Sequence, residues 1–188
     1  MNGKILRGAA FIDRDGTINE EVNYLHEPDK TVILPGVKEA LDIIHAHGYP
    51  AVIVTNQSGI GKGMYGPDAM RAVHERIREL LAPSYFDAVY FCPHHPRHTG
   101  ECDCRKPRPG MLLRAAREMG IDLTRSFMVG DRLSDIGAGI AAGCARNYLV
   151  RTGYGMTALE EAGGEVADAT VADDLLAAVR DFFAENAG

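Results

Sequence analysis

The sequence predicts a doubly wound α/β fold, in which helices cover both faces of one parallel sheet. Short apolar runs alternate with longer amphipathic runs along the chain, which is the order expected of β-α-β units. The apolar runs are not interrupted by a polar residue at every second position, as is typical of strands buried on both faces. The 188 residues are 46% hydrophobic and 24% charged, which suits one globular domain spanning 1–188.

Apolar and amphipathic runs mark the predicted elements. Five apolar runs predict the strands, namely Ala9–Asp13, Ala51–Thr55, Asp87–Phe91, Phe127–Gly130 and Tyr148–Val150. Five amphipathic runs predict the helices, namely Val37–His47, Pro67–Leu81, Gly110–Met119, Ser134–Ala142 and Asp173–Glu185. Pro35 and Gly36 precede the first helix, and Gly48 follows it. An alternation of strands and helices of this kind predicts a Rossmann-like fold.

Charge and hydropathy disfavour two classes of partner. The net charge of −6 is opposite to the basic balance of most nucleic-acid-binding proteins. No apolar run approaches the roughly 18 residues that span a membrane. The apolar run Ala9–Ile12 is too short for the core of a signal peptide. We therefore expect a cytoplasmic protein without membrane or nucleic-acid partners, and a monomer because no helix shows a spare apolar face.

Polar side chains stand at the ends of three predicted strands. Asp13 closes the first strand, Thr55 closes the second, and Asp131 directly follows the fourth. In doubly wound sheets, ligands bind beyond the carboxyl ends of the strands. The sequence therefore predicts that these three side chains converge on one site.

The first of these ends carries a second carboxylate, Asp15, two residues after Asp13. Asp, Gly and Thr all favour turns, so an ordinary turn is the alternative interpretation of Asp13–Thr17. As a catalytic pair, one carboxylate can attack phosphorus. The other can protonate the leaving oxygen and then deprotonate water. A bound Mg²⁺ would let the attacking carboxylate approach a phosphate dianion.

Four segments, in chain order, resemble the motifs of the haloacid dehalogenase superfamily of phosphatases. Asp13–Thr17 resembles the first motif, Thr55 the second, Lys106 the third and Gly130–Asp135 the fourth. The resemblance covers nearly the whole chain and implies a phosphatase with an aspartyl-phosphate intermediate. The stretch Asn19–Pro35 is too short for an inserted domain, so we expect no large cap over the site.

The resemblance implies a role for each matching residue. Asp13 is the nucleophile and Asp15 the general acid and base. Asp131 is a magnesium ligand together with Asp13 and the backbone carbonyl of Asp15. Thr55 holds the phosphoryl group, and Lys106 neutralises charge on the nucleophile and the phosphoryl oxygens. Taken alone, each could be an ordinary polar residue at a strand end, a turn or the surface.

Asp135, in the fourth motif, is open to two interpretations. It either orients the lysine of the third motif or stands at the start of a helix, where acids are favoured.

Residues 92–104 form a loop rich in cysteine and histidine. A protein that is not exported uses clustered cysteines more often for metal than for disulfides. Three thiolates and one imidazole can close a tetrahedral structural zinc site. The predicted Zn²⁺ ligands are Cys92, His94, Cys102 and Cys104. His95 and His98 are rival ligands, and free thiols on an exposed loop are the alternative to a metal site.

The zinc loop narrows the resemblance to a compact group of the superfamily. Members of this group act on a heptose 1,7-bisphosphate, from which they remove the 7-phosphate, or on histidinol phosphate. Ser58 and the stretch Asn23–Glu27 resemble the heptose-specific members. By this resemblance, the substrate-binding residues are Glu21, Val22, Asn23, Tyr24, Thr55, Asn56, Gln57, Ser58, Arg105, Lys106 and Arg132.

Three other interpretations stay open at this point. The first is a histidinol-phosphate phosphatase, which Ser58 disfavours. The second is a sugar-phosphate-binding module without turnover, which the complete set of Asp13, Asp15, Lys106 and Asp131 disfavours because a binder needs no general acid. The third is a phosphotransferase, which is disfavoured because the sequence has no room for a large cap.

A sugar with two phosphates also requires a second anion site, for which arginine is well suited.

Overall fold

The structure is a computed structural model that describes residues 7–185. In this part of the chain, six strands form one sheet. They are β1 (Ala10–Ile12), β2 (Ala51–Asn56), β3 (Ala88–Cys92), β4 (Phe127–Gly130), β5 (Arg146–Val150) and β6 (Thr170–Ala172). Their order is β3-β2-β1-β4-β5-β6, and all neighbouring pairs are parallel. The doubly wound parallel sheet predicted from the sequence is confirmed.

Helices connect the strands. Within the described range they are α1 (Val37–Ala46), α2 (Ser58–Gly61), α3 (Pro67–Leu81), α4 (Pro96–Thr99), α5 (Gly110–Met119), α6 (Leu133–Ala142), α7 (Gly155–Glu161) and α8 (Leu175–Glu185). Short 3₁₀ turns occur at Pro28–Lys30 and Leu123–Arg125. Both α5 and α6 end at a glycine with positive φ, Gly120 at 67° and Gly143 at 83°, because the left-handed conformation that closes a helix favours glycine.

The core lies in two layers, one on each face of the sheet. Along β1, Ala10 and Ile12 pack into the layer that α1, α3 and α8 cover, whereas Phe11 packs into the layer that α5 and α6 cover. Successive strand residues point to opposite faces, so a strand covered on both sides must be apolar at every position. This explains the uninterrupted apolar runs of the sequence.

The sheet order places a crevice at its centre. β1 lies between β2 and β4. The chain first adds β2 and β3 on one side of β1 and then adds β4, β5 and β6 on the other side. Ligand sites of doubly wound folds lie at this switch point, beyond the carboxyl ends of the strands. Asp13 follows β1 there, and its N–H donates to the Val129 carbonyl of β4 at 2.9 Å. The fold therefore brings the first and fourth motifs side by side.

Several elements differ from the sequence prediction. β6, α2, α4 and α7 were not predicted, and each is seven residues long or shorter. Such short elements carry too few residues for a hydrophobic period to emerge. Between β1 and α1, the described chain contains one 3₁₀ turn and no inserted domain, as predicted.

The ends of the chain lie outside the described part. The prediction that one domain spans 1–188 stays a prediction because residues 1–6 and 186–188 are not described. In the described range, no helix is both long and apolar enough to cross a membrane.

Candidate active site

A buried lysine lies between two carboxylates at the centre of the crevice. The Nζ of Lys106 lies 2.7 Å from Oδ1 of Asp13 and 2.6 Å from Oδ1 of Asp135. It also donates to the carbonyl oxygen of Val54 at 2.7 Å. Although burial opposes it, the negative charges of the two aspartates raise the pKa of Lys106, so the ammonium stays charged.

Asp135 makes both of the contacts that the sequence left open. Its Oδ1 pairs with Lys106, and its Oδ2 accepts from the backbone N–H of Arg132 at 3.0 Å, at the start of α6. One carboxylate therefore caps the helix and orients the lysine.

Asn56 fixes the same lysine from the other side. Its Oδ1 accepts from the backbone N–H of Lys106 at 3.1 Å, and its Nδ2 donates to the backbone carbonyl of Lys106 at 3.2 Å. The amide of Asn56 thus holds the backbone of Lys106 in place, and its predicted contact with substrate stays a prediction.

Three acidic side chains meet beside this lysine. Asp13, Asp131 and Asp135 are buried, and their nearest carboxylate oxygens lie within 4.8 Å of one another. Asp131 accepts from the N–H of Tyr154 through Oδ2, at 2.8 Å, but its buried Oδ1 has no hydrogen-bond partner. This oxygen lies 4.0 Å from Nε of Arg132. A buried carboxylate oxygen without a hydrogen-bond partner, among other carboxylates, fits a hard divalent cation with oxygen ligands.

The pKa values of two of these aspartates are raised by their surroundings. Burial raises the pKa of Asp13 to about 7, although Lys106 opposes the shift. Burial and then the charge of Asp13 raise the pKa of Asp131 to about 8. A cation at this point would favour the ionised form of both carboxyl groups.

Three side chains donate hydrogen bonds to the carboxylate of Asp15. The guanidinium of Arg14, which is fully buried, donates from Nη2 to both carboxylate oxygens of Asp15 at 2.7 Å. Asn19 donates to Oδ1 at 3.0 Å, and Gln57 donates to Oδ2 at 3.1 Å. These bonds fix the carboxylate two residues after Asp13 in one orientation.

Behind Asp15 lies a histidine that the sequence did not single out. Nε2 of His74, on α3, lies 3.4 Å from Nη1 of Arg14. Burial, followed by the positive charge of Arg14, lowers the pKa of His74 to about 3, so the ring is neutral and can accept from the guanidinium.

Thr55 belongs to a hydrogen-bond network centred on Gln57. Its Oγ1 accepts from Nε2 of Gln57 at 2.9 Å. The hydroxyl of Tyr65 donates to Oε1 of Gln57 at 2.7 Å. Gln57 therefore links Thr55 to Asp15, and its predicted contact with substrate stays a prediction.

A pocket of about 340 Å³ opens onto these groups. It is lined by most of the residues predicted to bind substrate, namely Glu21, Asn23, Tyr24, Thr55, Asn56, Gln57, Ser58, Arg105, Lys106 and Arg132. Val22 is not among them because its side chain packs against the hydrophobic core. Asp131 lies fully buried beneath the pocket.

The four predicted zinc ligands form one cluster. The sulfur of Cys92 lies 3.5 Å from that of Cys102 and 2.9 Å from that of Cys104, and Nδ1 of His94 lies 3.3 Å from the Cys104 sulfur. Tetrahedral zinc with bonds of about 2.3 Å places its sulfur ligands roughly 3.8 Å apart, so a Zn²⁺ ion fits with small adjustments.

The rival histidines lie outside this cluster. Nδ1 of His95 accepts from the N–H of Arg97 at 3.2 Å, and its ring contacts that of His98 edge to face. His95 instead lines the pocket.

Comparison with known proteins agrees with this geometry. Residues 103–178 match a family model described as "HAD-hyrolase-like". The chain is 46% identical over 155 residues to D-glycero-beta-D-manno-heptose-1,7-bisphosphate 7-phosphatase of Haemophilus influenzae, covering 79% of this chain and 84% of that protein. The protein of the same name from Escherichia coli K12 is 43% identical, covering 79% of this chain and 82% of that protein. The chain belongs to the haloacid dehalogenase-like phosphatases.

A solved structure supports the same family. The D,D-heptose 1,7-bisphosphate phosphatase from B. bronchiseptica, complexed with magnesium and phosphate, superposes with a TM-score of 0.86 at 34% identity. The match covers 95% of this chain and 99% of that chain. Magnesium is thus the cation that accompanies phosphate in a related enzyme, and haloacid dehalogenase-like phosphatases use Mg²⁺.

This haloacid dehalogenase-like phosphatase also has site residues that the sequence did not reveal. The loop after β5 closes over the acids, with the Thr152 hydroxyl donating to the Gly16 carbonyl at 2.6 Å and the N–H of Tyr154 donating to Asp131. A Cβ at Gly16 would lie 2.1 Å from Oδ2 of Asp131, so only glycine fits there.

Proposed function

We propose that the chain is a magnesium-dependent phosphatase that removes the 7-phosphate of D-glycero-β-D-manno-heptose 1,7-bisphosphate. The observation that carries this proposal is the placement of Lys106 between Asp13 and Asp135 at the floor of a pocket with further cations on its walls. The names of relatives up to 47% identical supply the substrate and its β anomer. The predictions of a cytoplasmic location and of a monomer stay predictions.

Asp13 is the proposed nucleophile. Its carboxylate oxygen forms a bond to the phosphorus of the 7-phosphate while the bond from phosphorus to the sugar oxygen breaks. The leaving oxygen takes a proton from Asp15. Water then attacks the aspartyl-phosphate as Asp15 accepts its proton, and inorganic phosphate leaves with Asp13 restored. The donors around Asp15 keep its carboxyl group in place through both proton transfers.

Lys106 and Thr55 are the proposed phosphoryl-binding residues. The lysine lies 2.7 Å from Asp13, so its charge also reaches oxygens of a phosphate bound to that carboxylate. Thr55 lines the pocket beside it and would donate its hydroxyl to the phosphoryl group.

Asp13, Asp131 and the backbone carbonyl of Asp15 are the proposed magnesium ligands. The Oδ1 of Asp131, which has no hydrogen-bond partner, and the raised pKa of Asp13 and of Asp131 support a cation there. When bound, the ion supplies the positive charge that lets a carboxylate approach a phosphate dianion. The protein holds Asp131 in position through the N–H of Tyr154.

The far end of the sugar carries the second phosphate in this proposal. Arg105 and Arg132 line the pocket and would bind its oxygens. Arg105 donates to the His94 carbonyl at 3.3 Å, which ties it to the cysteine–histidine cluster. Arg132 stacks on the Tyr154 ring at 3.9 Å. Contacts with the protein therefore hold both guanidinium groups in position without the substrate.

The proposed Zn²⁺ at Cys92, His94, Cys102 and Cys104 has a structural role. Four protein ligands leave no open position for water. Because Lys106 follows Cys104 by two residues, the ion would fix the segment that carries the lysine.

Replacing a zinc ligand tests this role. We expect Cys102→Ser to lose the zinc, which metal analysis should find at about one atom per wild-type chain. Stability should fall by about 4 kcal/mol when free zinc exceeds its dissociation constant roughly a thousandfold, and phosphatase activity should fall with it. Cys144→Ser, outside the cluster, is the control and should retain zinc. A zinc-free wild type with full stability and activity would refute the assignment.

The substrate proposal is tested by phosphate release with magnesium from both anomers of heptose 1,7-bisphosphate and from histidinol phosphate. We expect the β anomer of the heptose bisphosphate to give the highest kcat/KM, because the pocket offers a second set of cations that histidinol phosphate does not use. A preference for histidinol phosphate would overturn the substrate and leave the mechanism intact. Phosphate binding without any turnover would support the binding-module alternative.

A further inference from the structure

Lys62 is a pocket cation that the mechanism above does not use. The pocket is lined by four lysine and arginine side chains. Lys106 is neutralised by the carboxylates beside it, and Arg132 lies 3.6 Å from Glu21. In the described part of the chain, neither Arg105 nor Lys62 forms an ion pair with a carboxylate. These two positive charges are therefore available to an anionic ligand.

The backbone holds Lys62 on the same side of the pocket as Arg105. Gly61, just before it, packs so closely on the cysteine–histidine loop that a Cβ would lie 2.7 Å from the Pro93 carbonyl oxygen and 3.0 Å from the His95 nitrogen. Arg105 donates to the carbonyl of His94 in the same loop. Both cations thus extend from neighbouring backbone segments, and both line the pocket.

Tyr24 keeps the ammonium of Lys62 pointed into the pocket. The Nζ of Lys62 lies 4.7 Å from the centre of the Tyr24 ring and donates to the Tyr24 hydroxyl. Tyr24 itself has a φ of 57°, a conformation that non-glycine residues adopt only where their surroundings hold them. An aromatic ring and a neutral hydroxyl position a cation without cancelling its charge.

We infer that Lys62, positioned by Tyr24, joins Arg105 and Arg132 in binding the second phosphate of the substrate and makes the enzyme selective for bisphosphates over monophosphates. The inference rests on the proposed function, since it assigns the far end of the same substrate. A phosphate dianion that replaces the Tyr24 hydroxyl as partner of Lys62 gains a charge-assisted hydrogen bond. A monophosphate, bound through the phosphate at Asp13 alone, gains nothing from Lys62.

The test compares kcat/KM of wild type, Lys62→Met and Lys62→Arg on heptose 1,7-bisphosphate and heptose 7-phosphate. We expect Lys62→Met to lose about tenfold or more on the bisphosphate, mainly through KM, because a charge-assisted hydrogen bond is lost. Its activity on the monophosphate should change less than about twofold. Lys62→Arg should retain most of the preference. Lys30→Met is the control, because Lys30 is exposed and paired with Glu27 at 2.6 Å.

Equal losses of Lys62→Met on both substrates, or no loss on either, would overturn the inference. A melting temperature of Lys62→Met close to that of wild type shows that the variant is folded, and Lys62→Arg supplies the comparison if it is not. Assays of the wild-type enzyme on the two heptose phosphates distinguish failure of the proposed function from failure of this inference. If it hydrolyses neither heptose phosphate, the proposed function fails and this inference fails with it. If it hydrolyses both without preferring the bisphosphate, only the inference fails.

Discussion

Asp13→Asn is expected to lower kcat at least about a thousandfold, because an amide oxygen cannot take the place of the attacking carboxylate. The side chain is nearly isosteric, so the lysine and the other acids stay in place. Asp13 is buried, and burial raises its pKa to about 7. Its charge is thus disfavoured by the protein without magnesium. We expect the melting temperature of the variant at pH 8, without magnesium, to be no lower than that of wild type.

A lowered kcat together with a melting temperature no lower than that of wild type would show that Asp13→Asn has lost catalysis and has not unfolded. The control is Asp29→Asn, because Asp29 is exposed on the loop that follows β1 and should leave kcat unchanged. Retention of more than about a tenth of wild-type activity by Asp13→Asn with magnesium would contradict the assignment, since a nucleophile contributes far more than that.

Lys106→Met is expected to lower both activity and stability. The ammonium lies 2.7 Å from Asp13 and 2.6 Å from Asp135, and all three side chains are buried. Breaking a buried ion pair by removing one partner costs about 3–5 kcal/mol, since it leaves unpaired charge in the interior. Loss of a charge that stabilises the reacting phosphoryl group should lower kcat by roughly 10²–10³. Urea denaturation and initial rates measure the two effects.

A double variant distinguishes the two consequences. Adding Asp135→Asn to Lys106→Met removes one uncompensated carboxylate, so we expect part of the stability to return while activity stays low. Lys38→Met, an exposed position on α1, is the control and should change neither quantity. A Lys106→Met enzyme with wild-type kcat would contradict the role given to the lysine.

The convergence of Asp13, Thr55 and Asp131 could be predicted because each side chain follows or closes a strand. Parallel strands bring their carboxyl ends to one edge of the sheet whatever lies between them. Lys106 is different, since it lies on a loop far beyond the end of β3 at Cys92. Its approach to Asp13 depends on Asn56 and Asp135, which hold it from two sides. Only the family resemblance indicated its position.

Contacts between distant side chains could not be predicted. His74 reaches Arg14 across 60 residues because α3 packs over the loop after β1. Nothing in the local pattern of either residue indicates the other, since a histidine on an apolar helix face usually belongs to the core. The contact of Tyr24 with Lys62 has the same origin. A sequence pattern identifies which faces are buried, whereas these pairs depend on how two faces meet.

The central claim, that phosphate passes through Asp13, is tested most directly by trapping the covalent intermediate. Wild-type enzyme with magnesium and heptose 1,7-bisphosphate is quenched in acid during the first turnovers, reduced with borohydride and digested for mass spectrometry. Borohydride converts an aspartyl-phosphate to homoserine and leaves a free carboxylate unchanged. We expect homoserine at position 13 only when substrate is present. Release of phosphate without homoserine at that position, or homoserine at another aspartate, would contradict it.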